Sequence, residues 1–349
     1  MKKYIYIVSL LLISCQEEIT LDLPKAETKL VVQGAIENGF PAYVILTKSQ
    51  GYFDPLDSIA LNNIFVTDAS VSVTRDDGEF RNLTLISQAE IDLLETSSGY
   101  SIEIPPNTIY IDLEGLLSPG FSLANRSYTL DIAWNNQSIT AETTIPEPTP
   151  LDCLWVERSE TADEDFKFEI RGVYSDPADQ QNNILTRSKR IEHYKRIKDH
   201  SDTIQCEIIN KPDGNLKLID AGADLLINGE TFEFYFPRPK DSGFPYGKYN
   251  GTHTKDCNGD LVEFSNDVVL IKYCQIDEPS LKFWRGLIRQ AGTNGNPFAE
   301  PMNLVSNITN GLGIFTGYGS VYYNVPIIKD TVIYDAYTKD EGLNILDIF

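Results

Sequence analysis

Histidine is nearly absent from this chain, with three residues in 349: His193, His200 and His253. A hydrolytic triad needs a base held beside its nucleophile, and no Gly-x-Ser-x-Gly elbow accompanies any of them. No His-Glu-x-x-His occurs either, which leaves a zinc peptidase unsupported. Cysteine is scarce, with five residues and no Cys-x-x-Cys spacing, an argument against structural zinc and thiol redox chemistry. Basic charge is short as well: 29 lysines and arginines face 51 acids, a net charge of −22. A surface this acidic repels phosphate, so nucleic acid is not an expected partner. Nor does any stretch approach the ~18 to 20 apolar residues that a membrane-spanning helix requires.

What the chain does have begins at its first residues. Lys2 and Lys3 precede a short apolar core from Tyr4 to Ile13, and Leu12-Ile13-Ser14-Cys15 closes the segment. This is the layout of a secretory signal, and it resembles bacterial lipoprotein precursors, in which the peptide is cut before a lipid-bearing cysteine. Residues 1–14 are therefore expected to be a signal peptide and Cys15 the lipid-attachment residue. One acyl chain holds a protein only marginally, whereas the two or three carried by such a cysteine make attachment effectively permanent. Gln16, Glu17 and Glu18 follow, and acids at this place resemble the surface-export signal of Bacteroidota lipoproteins. Residues 15–28 lack a clear period, contain Pro24, and read as a lipidated tether. The expected location is the outer membrane, lipid-anchored and exposed at the cell surface.

With 42% hydrophobic and 11% aromatic residues, the body can build real cores, and its length suggests two domains. Its pattern is mainly β. Residues 29–33, 42–47, 69–75, 127–134 and 137–145 form short β-branched or alternating runs, punctuated by Asp76-Asp77-Gly78 and by the tight-turn pair Asn135-Asn136. These predict an immunoglobulin-like sandwich over 29–147. Pro146, Pro148 and Pro150 then read as a stiff connector. A second β-rich domain is expected over 148–349. It holds one amphipathic helix near 278–291, where Leu281, Trp284, Leu287, Ile288 and Ala291 fall at helical spacing. Asp277 suits its cap, Pro279 its first turn and Gly292 its stop. Phe232, Phe234 and Phe236 alternate as core residues should.

With Cys15 taken by lipid, Cys153, Cys206, Cys257 and Cys274 remain, an even number that fits two disulfides in an exported chain. Cys257 and Cys274 flank an expected hairpin and form the preferred pair. Asp256-Cys257-Asn258-Gly259-Asp260 has the oxygen density of a calcium loop without its full spacing, and Asn-Gly is equally a hairpin turn. Gly311 to Gly317 superficially looks like a nucleotide loop but lacks the strand-then-helix context. The basic run Arg187, Lys189, Arg190, Lys195, Arg196, Lys198 reads as a solvated face, or alternatively as a contact patch for an acidic partner or membrane phosphates. No cofactor is expected.

Asn296-Pro297-Phe298-Ala299-Glu300-Pro301, then Ser306-Asn307-Ile308 and Asn310-Gly311-Leu312-Gly313-Ile314-Phe315, resemble the C-terminal signature of Bacteroidota lipoproteins known as domain of unknown function 4249. Gly34 before Pro41-Ala42-Tyr43-Val44, and Asp176-Pro177 with Asn182-Asn183, agree with that resemblance. It implies a non-enzymatic protein, an accessory or substrate-capture partner of a TonB-dependent transporter, and assigns no catalytic residue. A surface adhesin or glycan-binding lipoprotein is the alternative. The expected partner surface is Asn296, Pro297, Phe298, Pro301, Ser306, Asn307, Asn310, Gly311, Gly313 and Phe315.

Overall fold

The structure is a computed structural model. It describes residues 27–51, 63–98, 106–117, 120–158, 168–178, 180–200, 203–212, 216–223, 228–236, 254–255, 261–262, 268–293, 303–326 and 332–334. In chain order the strands are β1 (Leu30–Glu37), β2 (Tyr43–Lys48), β3 (Ser70–Arg75), β4 (Phe80–Leu85), β5 (Ile109–Ile111), β6 (Arg126–Trp134), β7 (Gln137–Ile145) and β8 (Cys153–Arg158). There follow β9 (Phe168–Ser175), β10 (Asn183–His200), β11 (Thr203–Pro212), β12 (Lys217–Ala223) and β13 (Thr231–Phe236). The last are β14 (Thr254–Lys255), β15 (Leu261–Val262), β16 (Val268–Ile276), β17 (Ile308–Thr309), β18 (Leu312–Pro326) and β19 (Val332–Ile333). Helices α1 (Gln88–Ser98), α2 (Leu113–Leu117) and α3 (Glu278–Thr293) complete the described elements.

The mainly β class expected from the sequence is what the structure shows. Thirteen strands form one large mixed sheet in the order β11-β10-β16-β18-β1-β2-β5-β4-β3-β6-β7-β17, with β12 also on β10, and a four-stranded sheet runs β13-β9-β8-β19. Pairing does not establish an immunoglobulin-like order. Strand β1 runs parallel to β18 from Val31↔Leu312 to Glu37↔Tyr318, so the large sheet crosses the junction expected between residues 147 and 148.

Local chemistry explains the best-read pieces. In β3, Val71 and Val73 point into the core while serines and threonine alternate outward; β6 does the same with Tyr128, Leu130 and Ile132. Asn135 and Asn136 both take left-handed φ, 48° and 59°, the geometry of the type I′ turn that matches strand twist. Helix α3 begins where expected: Asp277 Oδ1 accepts the Ser280 amide at 2.9 Å.

Two layers cover β16 and β18. Val269, Ile271, Tyr273, Tyr323 and Val325 pack against the inner face of the four-stranded sheet, with Leu154, Val156, Ile170, Tyr174 and Phe236. The other face of β16 meets Leu281 and Trp284 of α3 and Ala221 of β12. Covered on both sides, β16 reads VVLIKYCQI and is buried almost end to end. A further core fills the curl of β1, β2, β3, β6 and β7, with Phe315 at its edge. No helix among the described residues is long and apolar enough to cross a membrane.

Candidate functional site

The expected partner surface resolves into a clasp, built from the residues upward. After β17 the chain turns at Asn310, which sits at φ 62°, and enters β18 through Gly313. There φ is 103°, and an added Cβ would lie 1.9 Å from the Val32 carbonyl oxygen. Only glycine tolerates both conditions. Asn307 then stitches three segments together: its Nδ2 donates to Glu142 O at 2.9 Å and Phe315 O at 2.7 Å, and its Oδ1 accepts the Phe315 amide at 3.0 Å. Ser306 Oγ accepts the Ile308 amide at 3.1 Å, and Asn310 Nδ2 donates to Ser138 O at 3.0 Å.

A second knot lies beside it. Thr143 donates to Asp277 Oδ2 at 2.6 Å and accepts the Gly317 amide at 2.7 Å, so the cap of α3 also ties β7 to β18. At Gly317 an added Cβ would stand 2.2 Å from Thr144 O.

Several sequence expectations are corrected here. Phe315, expected on a docking surface, is 0% exposed, because alternation along β18 turns it into the core opposite Gly34. Ser306 is exposed and Asn307 and Gly313 half-buried, and all three also serve the local strand geometry. The Gly311–Gly317 run lies against the backbone of β1 and β7. Asn296, Pro297, Phe298 and Pro301 lie outside the described residues, as do Cys15 and the calcium candidate Asp256–Asp260. The pairing expected for Cys257 and Cys274 gains no support. Cys274 is a fully buried free thiol that accepts Ser320 Oγ at 3.3 Å, and Cys257 lies outside the described residues. Of the basic run, Lys189 is buried and Arg187 half-buried, its guanidinium 4.7 Å above the Trp284 ring. Arg187 thereby braces α3, and the two residues do not form an open contact patch.

Asn310 and Gly311 do reach an open space. With Glu27, Thr28, Lys29, Gln137 and Ser138 they line a cleft of about 520 Å³. It is polar, carries one acid and one base, and sits where the chain from Cys15 enters the body. Its hydroxyl, amide and charged groups can make the rim contacts of a docking surface.

Sequence reasoning missed the strongest electrostatic feature. Glu37, Lys272 and Tyr322 are each 1% exposed. The Lys272 ammonium pairs with Glu37 Oε2 and lies 4.6 Å from the Tyr318 ring centroid. Tyr322 Oη donates to Glu37 Oε1 at 2.6 Å, and burial together with the Glu37 carboxylate holds its phenol well above the usual range. A lysine inside the apolar run VVLIKYCQI was the available signal, since such a charge must find a buried partner. The cluster is sealed, so it locks β1, β16 and β18 in register and meets no ligand. Among the described residues, no group of three or more His, Cys, Asp or Glu could hold a metal ion.

With this geometry in place, the chain belongs to the family described as domain of unknown function 4249, whose model matches residues 16–323. No curated protein matches it.

Proposed function

We propose that this is a surface-exposed outer-membrane lipoprotein that acts by binding, as an accessory or substrate-capture partner of a TonB-dependent transporter. The observation that carries the reading is the position of Cys15. It closes a basic, apolar and small-residue sequence, and the family match begins at the very next residue. Lipid on that cysteine would confine the body to the plane of the outer membrane, where a weak contact with a neighbour gains from high effective concentration.

The cleft at the root of the tether supports the same reading. Glu27 lies twelve residue steps after Cys15, so a chain extending at most ~3.3–3.6 Å per residue keeps the cleft within roughly 45 Å of the membrane surface. Of the expected partner surface, Asn310 and Gly311 line this cleft, and a transporter in the same membrane lies within that range.

The test is a mild-detergent pulldown of the natively anchored protein, read by mass spectrometry, with Cys15→Ala as control. Stoichiometric recovery of a TonB-dependent transporter is expected from the anchored protein and not from Cys15→Ala. Lys29→Glu with Gln137→Arg, both exposed cleft positions, should lower recovery without lowering the melting temperature. Recovery of the lipoprotein alone would sink the accessory role.

A further inference from the structure

One face of the four-stranded sheet is sealed against β16 and β18; among the described residues, the other carries exposed side chains. Its registers Tyr235↔Arg171, Trp155↔Arg171 and Val332↔Trp155 set four side chains in a single row across β13, β9, β8 and β19. Directly opposed residues share a face, and the residues alternating with this row, Leu154, Val156, Ile170 and Phe236, are in the core. Tyr235 is 67% exposed, and Tyr334, two residues beyond Val332, is 71% exposed. Other large rings, Tyr128, Tyr174, Tyr322 and Tyr323, are fully buried, while Phe80 on β4 is also exposed at 58%.

The polar groups in the row are fixed before any ligand arrives. Arg171 pairs with Glu157 at 2.5 Å, Glu233 at 2.7 Å and Glu169 at 3.6 Å. Trp155 Nε1 donates to Glu157 Oε2 at 3.2 Å, pinning the indole. Side chains already held in this way lose little freedom on binding.

Area, charge and spacing select the ligand. Strand β8 has six residues, so the face measures about 20 Å by 14 Å, roughly 300 Å². A standard protein interface takes about 800 Å² from each partner, so this face suits something smaller. One guanidinium among three carboxylates disfavours an anion. Tyr235 and Trp155 stand two strands apart, about 10 Å, a span that suits two linked sugar rings. Aromatic faces accept the apolar C–H faces of pyranoses, while the fixed carboxylates and guanidinium accept from and donate to hydroxyls.

We infer that the outward face of the four-stranded sheet binds a neutral β-linked oligosaccharide. The inference stands apart from the transporter reading, because it is a property of the body measured without any membrane partner.

The mature full-length chain, purified in mild detergent, is titrated calorimetrically with cellohexaose and with laminarihexaose, and with hexalysine as the cationic comparison. Binding of at least one hexasaccharide is expected, together with a change in tryptophan fluorescence that Trp155→Phe removes. Tyr235→Ala and Tyr334→Ala, both at exposed positions, should each weaken binding about fivefold or more at an unchanged melting temperature. Silence with both sugars would overturn the inference. So would sugar binding that survives the double tyrosine variant, or hexalysine binding that depends on the same tyrosines in place of sugar.

Discussion

At Gly313 and at Gly317, β1 and β7 respectively press so closely on the backbone of β18 that a single methyl group has nowhere to go. Across the molecule, on the outward face of the four-stranded sheet, Tyr235 is 67% exposed and Tyr334, just beyond β19, 71%. The first region is governed by backbone approach and hydrogen-bond stitching, the second by side chains free of packing duty. Several residues that mark the family resemblance fall in places of the first kind, although Asn310 and Gly311 line the open cleft: Gly34 faces Phe315 across the β1–β18 pairing, and Asn307 joins three segments. Asp176 likewise accepts Asn182 Nδ2 at 3.0 Å, with both residues buried. Motifs of this kind report how the chain folds. What it binds is more readily sought where the fold makes no demand on the side chain.

Substitutions can drive this contrast apart. The largest effect is expected at Lys272→Met, which leaves Glu37 buried without its cation and should cost about 3–5 kcal/mol. Denaturant unfolding checks the size. The paired variant Lys272→Met with Glu37→Leu should regain part of that loss, because two apolar side chains need no charge partner while the buried Tyr322 hydroxyl loses its Glu37 acceptor. A double variant as unstable as the single one would show that the ion pair itself, and not the orphaned charge, stabilises the sheet.

Next comes Gly313→Ala. The residue has φ 103° and its Cβ would overlap Val32 O, so the strand must shift away from β1. A loss of about 2–3 kcal/mol is expected in the same unfolding experiment. Asn310 also takes positive φ, but Asn310→Gly there should cost much less, since glycine accepts that conformation freely and only the exposed hydrogen bond to Ser138 O is lost. Equal losses at both positions would place the cost in the turn and not in the approach of β1 to β18.

Much of the local structure was legible. Asn135-Asn136 announced the β6–β7 hairpin, and the spacing of Leu281, Trp284, Leu287 and Ile288 behind Asp277 announced α3. The inward alternation of Phe232, Phe234 and Phe236 holds in β13, where all three pack against the core beside Tyr174 and Tyr273. Long-range pairing was not legible. Nothing local in Val31–Glu37 says that its parallel partner lies at Leu312–Tyr318, because parallel strands need no turn to announce them. One residue of the candidate site was misread for a related reason: Phe315 follows an asparagine- and glycine-rich turn that looks exposed in sequence, yet it is fully buried. Arg187 was misjudged because a long side chain can bury its stem and lay its charge on an indole ring.

The smallest effect on stability should come from Tyr235→Ala, and it is the sharpest probe of the contrast. The side chain is 67% exposed and stands on the outward face of β13. Its neighbours Phe234 and Phe236 face inward, with ring centroids 4.9 Å apart, so removing the phenol opens no cavity. The expected change in unfolding free energy is within about 0.5 kcal/mol, several-fold below that of Gly313→Ala. A loss above 1 kcal/mol would mean that the open face contributes to the fold after all. The two regions would then differ in degree of packing only, and the argument that the ring is kept for a ligand would lose its footing.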